Sequence, residues 1–203
     1  MKRLLTLAKP FLTAIAIIAV LKLTGTLDDV SYCTSSALLK VGIMDATPGK
    51  ESDPAEPFDY NFKIKTLDGT VVDFNQFRGK VVFINLWATW CGPCRVEMPS
   101  IQKLYDQLDK EKIQFVILSL DNDEDLSKIV KYVGKNHYTF PVYQPKGFLP
   151  SQLSVPSIPT TLIIDPAGNV VSKKVGTTNF NTEKFKKYLE GLVTLLCQIS
   201  DFR

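Results

Sequence analysis

The chain has 203 residues, of which 45% are hydrophobic and 22% charged, so it can bury one ordinary core and its length favours one domain with appendages. The net charge is only +3, and the 24 basic residues are scattered among 21 acidic ones, which excludes an evident electrostatic footprint for nucleic acid. Four cysteines are too few and too widely separated for a small secreted fold held by disulfides: Cys33, Cys91, Cys94 and Cys197.

The N-terminal residues 1–27 have the features of an export signal. A short positive leader precedes an uncharged apolar run, residues 11–21, which is shorter than the ~20 residues that cross a bilayer and is typical of a signal peptide. If Lys22 snorkels to the interface, the flanking leucines extend the run to a span. The best match to a cleavage site, Ser35 to Ala37, is weak and lies far downstream. We therefore expect an uncleaved membrane anchor, with a cleaved signal peptide as the alternative.

A proline-bearing polar stretch, residues 28–57, follows and is predicted to be a tether. The domain, residues 58–203, opens with two apolar segments, 62–65 and 71–74. They flank Asp68-Gly69, a strong hairpin signal. An N-terminal β-hairpin is therefore expected to precede the main sheet.

The next segment places two thiols at the junction of a strand and a helix. Residues 80–86 (KVVFINL) are a continuous apolar run, which is typical of a strand covered on both faces. Residues 96–108 have apolar side chains at helical spacing. Between them lies Cys91-Gly92-Pro93-Cys94.

The rest of the chain alternates in the same way. The predicted elements are a buried strand at 113–120, an amphipathic helix at 124–137, an extended piece at 140–143, a strand pair at 162–165 and 170–175, and a helix at 181–196. This order predicts an α/β sandwich with a mixed sheet.

A cysteine at a helix N-terminus faces unpaired N–H groups and the positive end of the helix dipole, and both favour the thiolate. Cys91 is therefore the predicted nucleophile, and Cys94, one turn further on, is placed to resolve a mixed disulfide. Pro93 suits an early helical position. Zinc is disfavoured because His137 is the only histidine and no second CxxC is present. A structural disulfide closing so short a loop would stabilise little.

Two stretches resemble the thioredoxin superfamily. "FINLWATWCGPCRVEMP" is similar to its active-site segment, and the ending "CRVEMP" resembles the membrane-tethered TlpA/ResA/CcmG branch. "VPSIPTTLIIDPAGNVV" resembles the segment that carries the family's cis-proline, here Pro159 after Ile158. The resemblance covers residues 58–196. It implies a thioredoxin-like three-layer sandwich with a central mixed sheet, preceded by the hairpin and the anchor.

The resemblance also implies roles for residues around the thiols. The backbone of Ile158, with Pro159, would pair with an incoming substrate chain. Trp90, Gly92 and Pro93 complete the predicted substrate-binding surface, with no metal or cofactor expected.

Two further positions distinguish the branch. Asn85 occupies the position where thioredoxin has a buried aspartate, so another group must handle the proton of the resolving thiol. Glu97 matches a glutamate of the TlpA/ResA branch and is the predicted proton-handling group. The alternative for Glu97 is an ordinary acid in the first turn of a helix.

The resemblance implies a thiol:disulfide oxidoreductase. Gly92-Pro93 between the thiols predicts a reductant of protein disulfides. The resemblance to the TlpA/ResA/CcmG branch implies apocytochrome c as a candidate substrate and a membrane electron donor of the DsbD/CcdA type. The expected location is the inner membrane, with a single N-terminal anchor and a periplasm-facing domain. A peroxidase is an alternative, although the Pro-Thr-Cys context of peroxiredoxins is missing. A CxxC copper chaperone is another, although it would usually add a His or Met ligand.

Three features stay open. Cys33 and Cys197 are predicted either to form a disulfide between the chain ends or to be unpaired. His137 is expected at the surface. The acidic run at 121–125 lacks the glycine and the terminal glutamate of a calcium loop, so a solvated loop is expected there.

Overall fold

The computed structural model describes residues 44–46 and 56–200. Eight strands form one mixed sheet in the order β1-β8-β7-β4-β5-β6-β2-β3. The strands are β1 (Glu56–Pro57), β2 (Lys63–Thr66), β3 (Val71–Asp73), β4 (Val81–Trp87), β5 (Ile113–Ser119), β6 (Val142–Lys146), β7 (Thr160–Ile164) and β8 (Asn169–Val175). The helices are α1 (Gly92–Gln107), α2 (Leu126–Lys135) and α3 (Glu183–Ser200).

The centre of the sheet consists of strands covered on both faces. Every residue of β4 is buried, because its two edges pair with β5 and β7 and both of its faces pack against core residues. Side chains alternate between the two faces of a strand. Val81, Phe83 and Trp87 therefore pack in the core on one face, and Val82 and Ile84 pack in the core on the other.

Three layers result. All three helices of the described residues contribute to the core on the first face, through side chains such as Ile101, Ile129 and Phe185. Two right-handed parallel crossovers that step the same way along a sheet place their helices on the same side, which explains the positions of α1 and α2. Aromatic residues cover the second face together with two short 3₁₀ turns (Phe74–Phe77 and Ser151–Leu153).

The hairpin of β2 and β3 lies at one edge of the sheet, where β2 also pairs antiparallel with β6. The Gly69 residue of its turn has a φ of 89°, a left-handed conformation that glycine adopts without a steric cost. At the other edge β1 pairs with β8. Two parts of the predicted tether, 44–46 and 56–57, are thus hydrogen-bonded to the domain.

The predicted membrane anchor at residues 1–27 and Cys33 lie outside the described residues, as does the side chain of Cys197. Among the helices of the described part, none combines the length and the apolar composition that a membrane span needs. His137 lies exposed just after α2, with a φ of 55°.

Candidate active site

Cys91 lies where the central strand β4 leads into α1. Helix α1 begins at Gly92, with Pro93 in its first turn, so the helix starts four residues earlier than the apolar spacing predicts. The cap of the helix is Cys91 itself, whose Sγ accepts a hydrogen bond from the Cys94 N–H at 3.2 Å. An amide donor and the helix dipole both stabilise negative charge on this sulfur.

The two thiols form a disulfide and differ in exposure. Cys91 and Cys94 are joined, with their Cα atoms 5.3 Å apart. Cys91 is 5% exposed, whereas Cys94 is fully buried. A partner molecule can therefore reach only the first sulfur, and the second acts from inside the domain.

The loop before β7 lies against Cys91. The Ile158-Pro159 peptide bond is cis, and the Ile158 carbonyl oxygen lies 3.8 Å from Cys91 Sγ. The Pro159 carbonyl accepts a hydrogen bond from the Gly176 N–H at 2.8 Å, which ties this loop to the end of β8. The structure therefore brings together Cys91, Cys94, Ile158 and Pro159, which are far apart in the sequence.

The loop before Cys91 is held by a buried carboxylate that the sequence did not single out. Asp121 is 5% exposed and accepts hydrogen bonds from the Thr89 N–H at 2.8 Å and the Thr89 hydroxyl at 2.6 Å. The Ser119 hydroxyl also donates to Asp121 at 2.6 Å. The prediction of a solvated loop at 121–125 is therefore wrong for Asp121, because three donors compensate the burial of its carboxyl group. This bonding fixes the loop that carries Trp90, whose side chain is 65% exposed beside the disulfide.

Glu97 lies one turn after Cys94 on the same helix and is fully buried. Its Oε1 accepts a hydrogen bond from Asn85 Nδ2 at 2.7 Å, and its Oε2 accepts one from the Thr178 N–H at 3.1 Å. Burial raises the pKa of Glu97 to about 8, and the two hydrogen bonds lower it by less. This carboxyl therefore holds its proton at neutral pH and can exchange it in the range in which thiols titrate.

Asn85 is suited to both protonation states of Glu97. Its Nδ2 donates to the carboxyl group and, at 2.9 Å, to Thr161 Oγ1, while its Oδ1 is buried without a hydrogen-bond partner. Rotation of the amide by 180° would present Oδ1 as an acceptor to the same two groups, which suits a protonated carboxyl. The described residues hold no cluster of three or more histidine, cysteine, aspartate or glutamate side chains arranged to bind a metal.

This combination defines the class of protein. The central mixed sheet leads into a CxxC disulfide at the N-terminus of a helix. The loop that carries the cis-proline lies against the Cys91 sulfur. The chain is a thioredoxin-like thiol:disulfide oxidoreductase.

Comparison with known proteins gives the family. Residues 50–191 match the redoxin family model. The thiol-disulfide oxidoreductase ResA of a Bacillus cereus strain is 36% identical over 132 residues, which cover 64% of this chain and 72% of ResA. The chain belongs to the redoxin family. The resemblance to the TlpA/ResA/CcmG branch of the thioredoxin superfamily is confirmed.

Solved structures confirm the thioredoxin-like fold. StoA from Bacillus subtilis has a TM-score of 0.53 and 28% identity, and the match covers 66% of this chain and 98% of StoA. A Chlorobium tepidum protein assigned as a thiol:disulfide interchange protein, DsbE, has a TM-score of 0.59 and 27% identity. That match covers 70% of this chain and 98% of the other.

Proposed function

We propose that the protein reduces disulfides of other proteins outside the cytoplasm, and that the membrane holds it there. The observation that carries the proposal is the asymmetry of the two sulfurs. Cys91 keeps a small exposed fraction, 5%, beside the Ile158 carbonyl, and Cys94 is fully buried. Such a pair can bind a substrate disulfide and release the reduced product without leaving a sulfur of its own attached.

The reaction has two steps. The Cys91 thiolate attacks one sulfur of the substrate disulfide, which breaks that bond, forms a mixed disulfide and releases the first substrate thiolate. The Cys94 thiol loses its proton and attacks Cys91 Sγ, which forms the Cys91–Cys94 disulfide and releases the second substrate thiolate. The substrate disulfide is the oxidant and the Cys91–Cys94 dithiol is the reductant, so two electrons pass from the protein to the substrate. An electron donor in the membrane, of the DsbD/CcdA type, would then reduce the pair again.

Glu97 is proposed to take the proton of Cys94 when it is ionised, which with a pKa of about 8 is the minor form at neutral pH and becomes the major form above pH 8. A base accepts a proton most effectively when its pKa is close to that of the donor and to the working pH. The pKa of Glu97, at about 8, is near the ~8.5 of an ordinary thiol. Ile158, Pro159, Trp90, Gly92 and Pro93 are proposed to form the surface on which the substrate chain lies.

We expect the potential of the pair to be reducing. A glycine and a proline separate the thiols, and no histidine is present between them to stabilise a Cys91 thiolate. The expected value is therefore nearer the ~−270 mV of thioredoxin than the ~−120 mV of DsbA. Equilibration with glutathione or dithiothreitol buffers measures it, and a potential above about −150 mV would contradict a reducing role.

The proposed location is the inner membrane, with residues 1–27 as an uncleaved anchor and the domain facing the periplasm. The apolar run and its positive leader support the proposal. We expect the full-length chain to stay in the membrane pellet after alkaline extraction, with an intact mass that includes the first residues. A soluble product that begins downstream of residue 27 would show that the segment is a cleaved signal.

A role in the maturation of cytochrome c, with apocytochrome c as the substrate, is the most specific part of the proposal. It is supported by the similarity to ResA and by the reducing character of the Gly-Pro spacer. Covalent trapping of substrates through Cys91 tests it directly, because the trapped partners can be identified by mass.

A further inference from the structure

A short segment that precedes the domain is docked beside the active site. This docked segment consists of Met44, Asp45 and Ala46. The Ala46 N–H donates a hydrogen bond to the Asn179 carbonyl at 2.8 Å, and the Asn179 N–H donates to the Met44 carbonyl at 2.7 Å. Asn179 Nδ2 also donates to Asp45 Oδ1 at 2.7 Å. Ala46 is 3% exposed and belongs to the core on the helix side. Backbone pairing, a side-chain bond and burial thus all hold the segment.

Asn179 belongs to the connection between β8 and α3, residues 176–182, whose first part is the 176–180 loop. The N–H of Thr178, the residue before Asn179, donates to Glu97 Oε2 at 3.1 Å. The Phe180 N–H donates to Ser100 Oγ at 3.1 Å, and Ser100 Oγ donates to the Glu97 carbonyl at 2.7 Å. The loop therefore has the docked segment on one side and the first turns of α1 on the other.

We propose that the docked segment is a positioning element of the active site: it holds the 176–180 loop against α1 and thereby keeps water away from the Glu97 carboxyl. The proposal rests on the proton-transfer role proposed above for Glu97. The hydrogen bonds of the segment run to Asn179, so it acts on the active site through the loop. Of the two described parts of the predicted tether that are bonded to the domain, it is the one nearer in sequence to the predicted anchor.

The direction of the effect follows from the causes that act on Glu97. Burial is the largest cause and raises its pKa, whereas the Thr178 N–H lowers it by less. If the loop moves away, both are lost, and the loss of burial dominates. The pKa of Glu97 should then fall towards its ordinary value of 4.5.

Several titratable or charged groups lie on the elements around Glu97. Cys94 is on its own helix, and Asp45 is on the docked segment. Lys174 of β8 lies opposite Thr161 in the sheet. Asn85 Nδ2 donates hydrogen bonds to both Thr161 and Glu97. The variants below keep Cys94 and Lys174 unchanged, and the oxidised protein is used so that the disulfide-bonded cysteines do not titrate.

The test is Ala46→Asp in the full chain, with Ala167→Asp as the matched control. Ala167 is exposed in the turn between β7 and β8, so the control makes the same chemical change away from the loop. At position 46 an aspartate would have to be buried, which displaces the segment. The Glu97 carboxyl carbon is followed by ¹³C NMR during a pH titration, and its signal is assigned by its loss in Glu97→Gln.

We expect the titration midpoint of Glu97 to fall by at least about one pH unit in Ala46→Asp, a tenfold weaker hold on the proton, and to stay unchanged in Ala167→Asp. An added negative charge would by itself raise this midpoint, so a fall cannot come from the charge of the introduced carboxylate. Asp45→Ala removes only the side-chain bond to Asn179 and should shift the midpoint in the same direction by less. If Ala46→Asp does not fold, the titration midpoint of Glu97 in Asp45→Ala tests the proposal.

A midpoint in the folded variants equal to that of the parent chain would overturn the proposal. The proposed function has a separate readout, the pH dependence of disulfide reduction. If Glu97→Gln leaves that pH dependence unchanged, the proton-transfer role fails, while the NMR midpoint still shows whether the docked segment positions Glu97.

Discussion

Replacing Cys94 by alanine converts the protein into a covalent trap for its substrates. Cys91 can still attack a substrate disulfide in this variant, but no second thiol stands behind it to release the product. A correctly placed intramolecular group has an effective concentration of about 10⁵–10⁸ M, against millimolar external thiols. We therefore expect the lifetime of the mixed disulfide to rise by at least about a thousandfold.

The experiment expresses Cys94→Ala in the native host, in a chain whose Cys33 and Cys197 are also replaced by alanine. Adducts are detected on non-reducing gels and their partners are identified by mass spectrometry. The matched control is Cys91→Ser with Cys94 retained, which should trap nothing because Cys94 is fully buried. Equal adducts in the two variants, or none through Cys91, would refute the assignment of Cys91 as the nucleophile.

The partners trapped in this way also test the substrate proposal. Apocytochrome c among them would support a role in cytochrome maturation. A set of other exported proteins without apocytochrome c would restrict the function to general disulfide reduction.

Much of the fold could be predicted from the sequence because its signals are local. The apolar runs at 80–86 and 113–120 correspond to β4 and β5, and the apolar stripe at 181–196 corresponds to α3. The start of α1 could not be placed by periodicity, because its cap is a sulfur atom and its first residues are glycine and proline. Strand order is set by pairings between distant segments, such as β2 with β6, and no local pattern records them.

The chemistry of the site was predictable in part, for a related physical reason. Residue spacing alone puts Cys91 and Cys94 on one helical turn, and the family resemblance adds Pro159. The burial of Glu97 depends on Thr178, 81 residues away, and that of Asp121 on Thr89, 32 residues away. An acidic residue in a first turn or in an acidic run is usually solvated, so only tertiary structure distinguishes these two carboxyls from their exposed neighbours.

Glu97 should also make the folded protein less stable as the pH rises. Its carboxyl binds a proton more tightly in the folded state, where its pKa is about 8, than in the unfolded state, where the ordinary value is 4.5. Below pH 4.5 the group is protonated in both states and has no effect. Between pH 4.5 and 8 only the unfolded state loses the proton, so the free energy of unfolding falls as the pH rises, by up to about 5 kcal/mol in total. Above pH 8 the carboxyl is ionised in both states, so the unfolding free energy stays lowered by this full amount.

The substitution Glu97→Gln removes the titrating group and keeps a similar shape, so it should abolish this slope. We expect the variant to match the parent near pH 4.5 and to exceed its unfolding free energy by several kcal/mol, up to about 5, at about pH 9. Denaturant unfolding of the oxidised protein measures this without interference from the disulfide-bonded thiols. Glu111→Gln, at an exposed position, is the control that should follow the parent. Parallel curves for parent and Glu97→Gln would mean that Glu97 titrates near its ordinary value of 4.5, and such a carboxylate is too weak a base for the proposed transfer of the Cys94 proton.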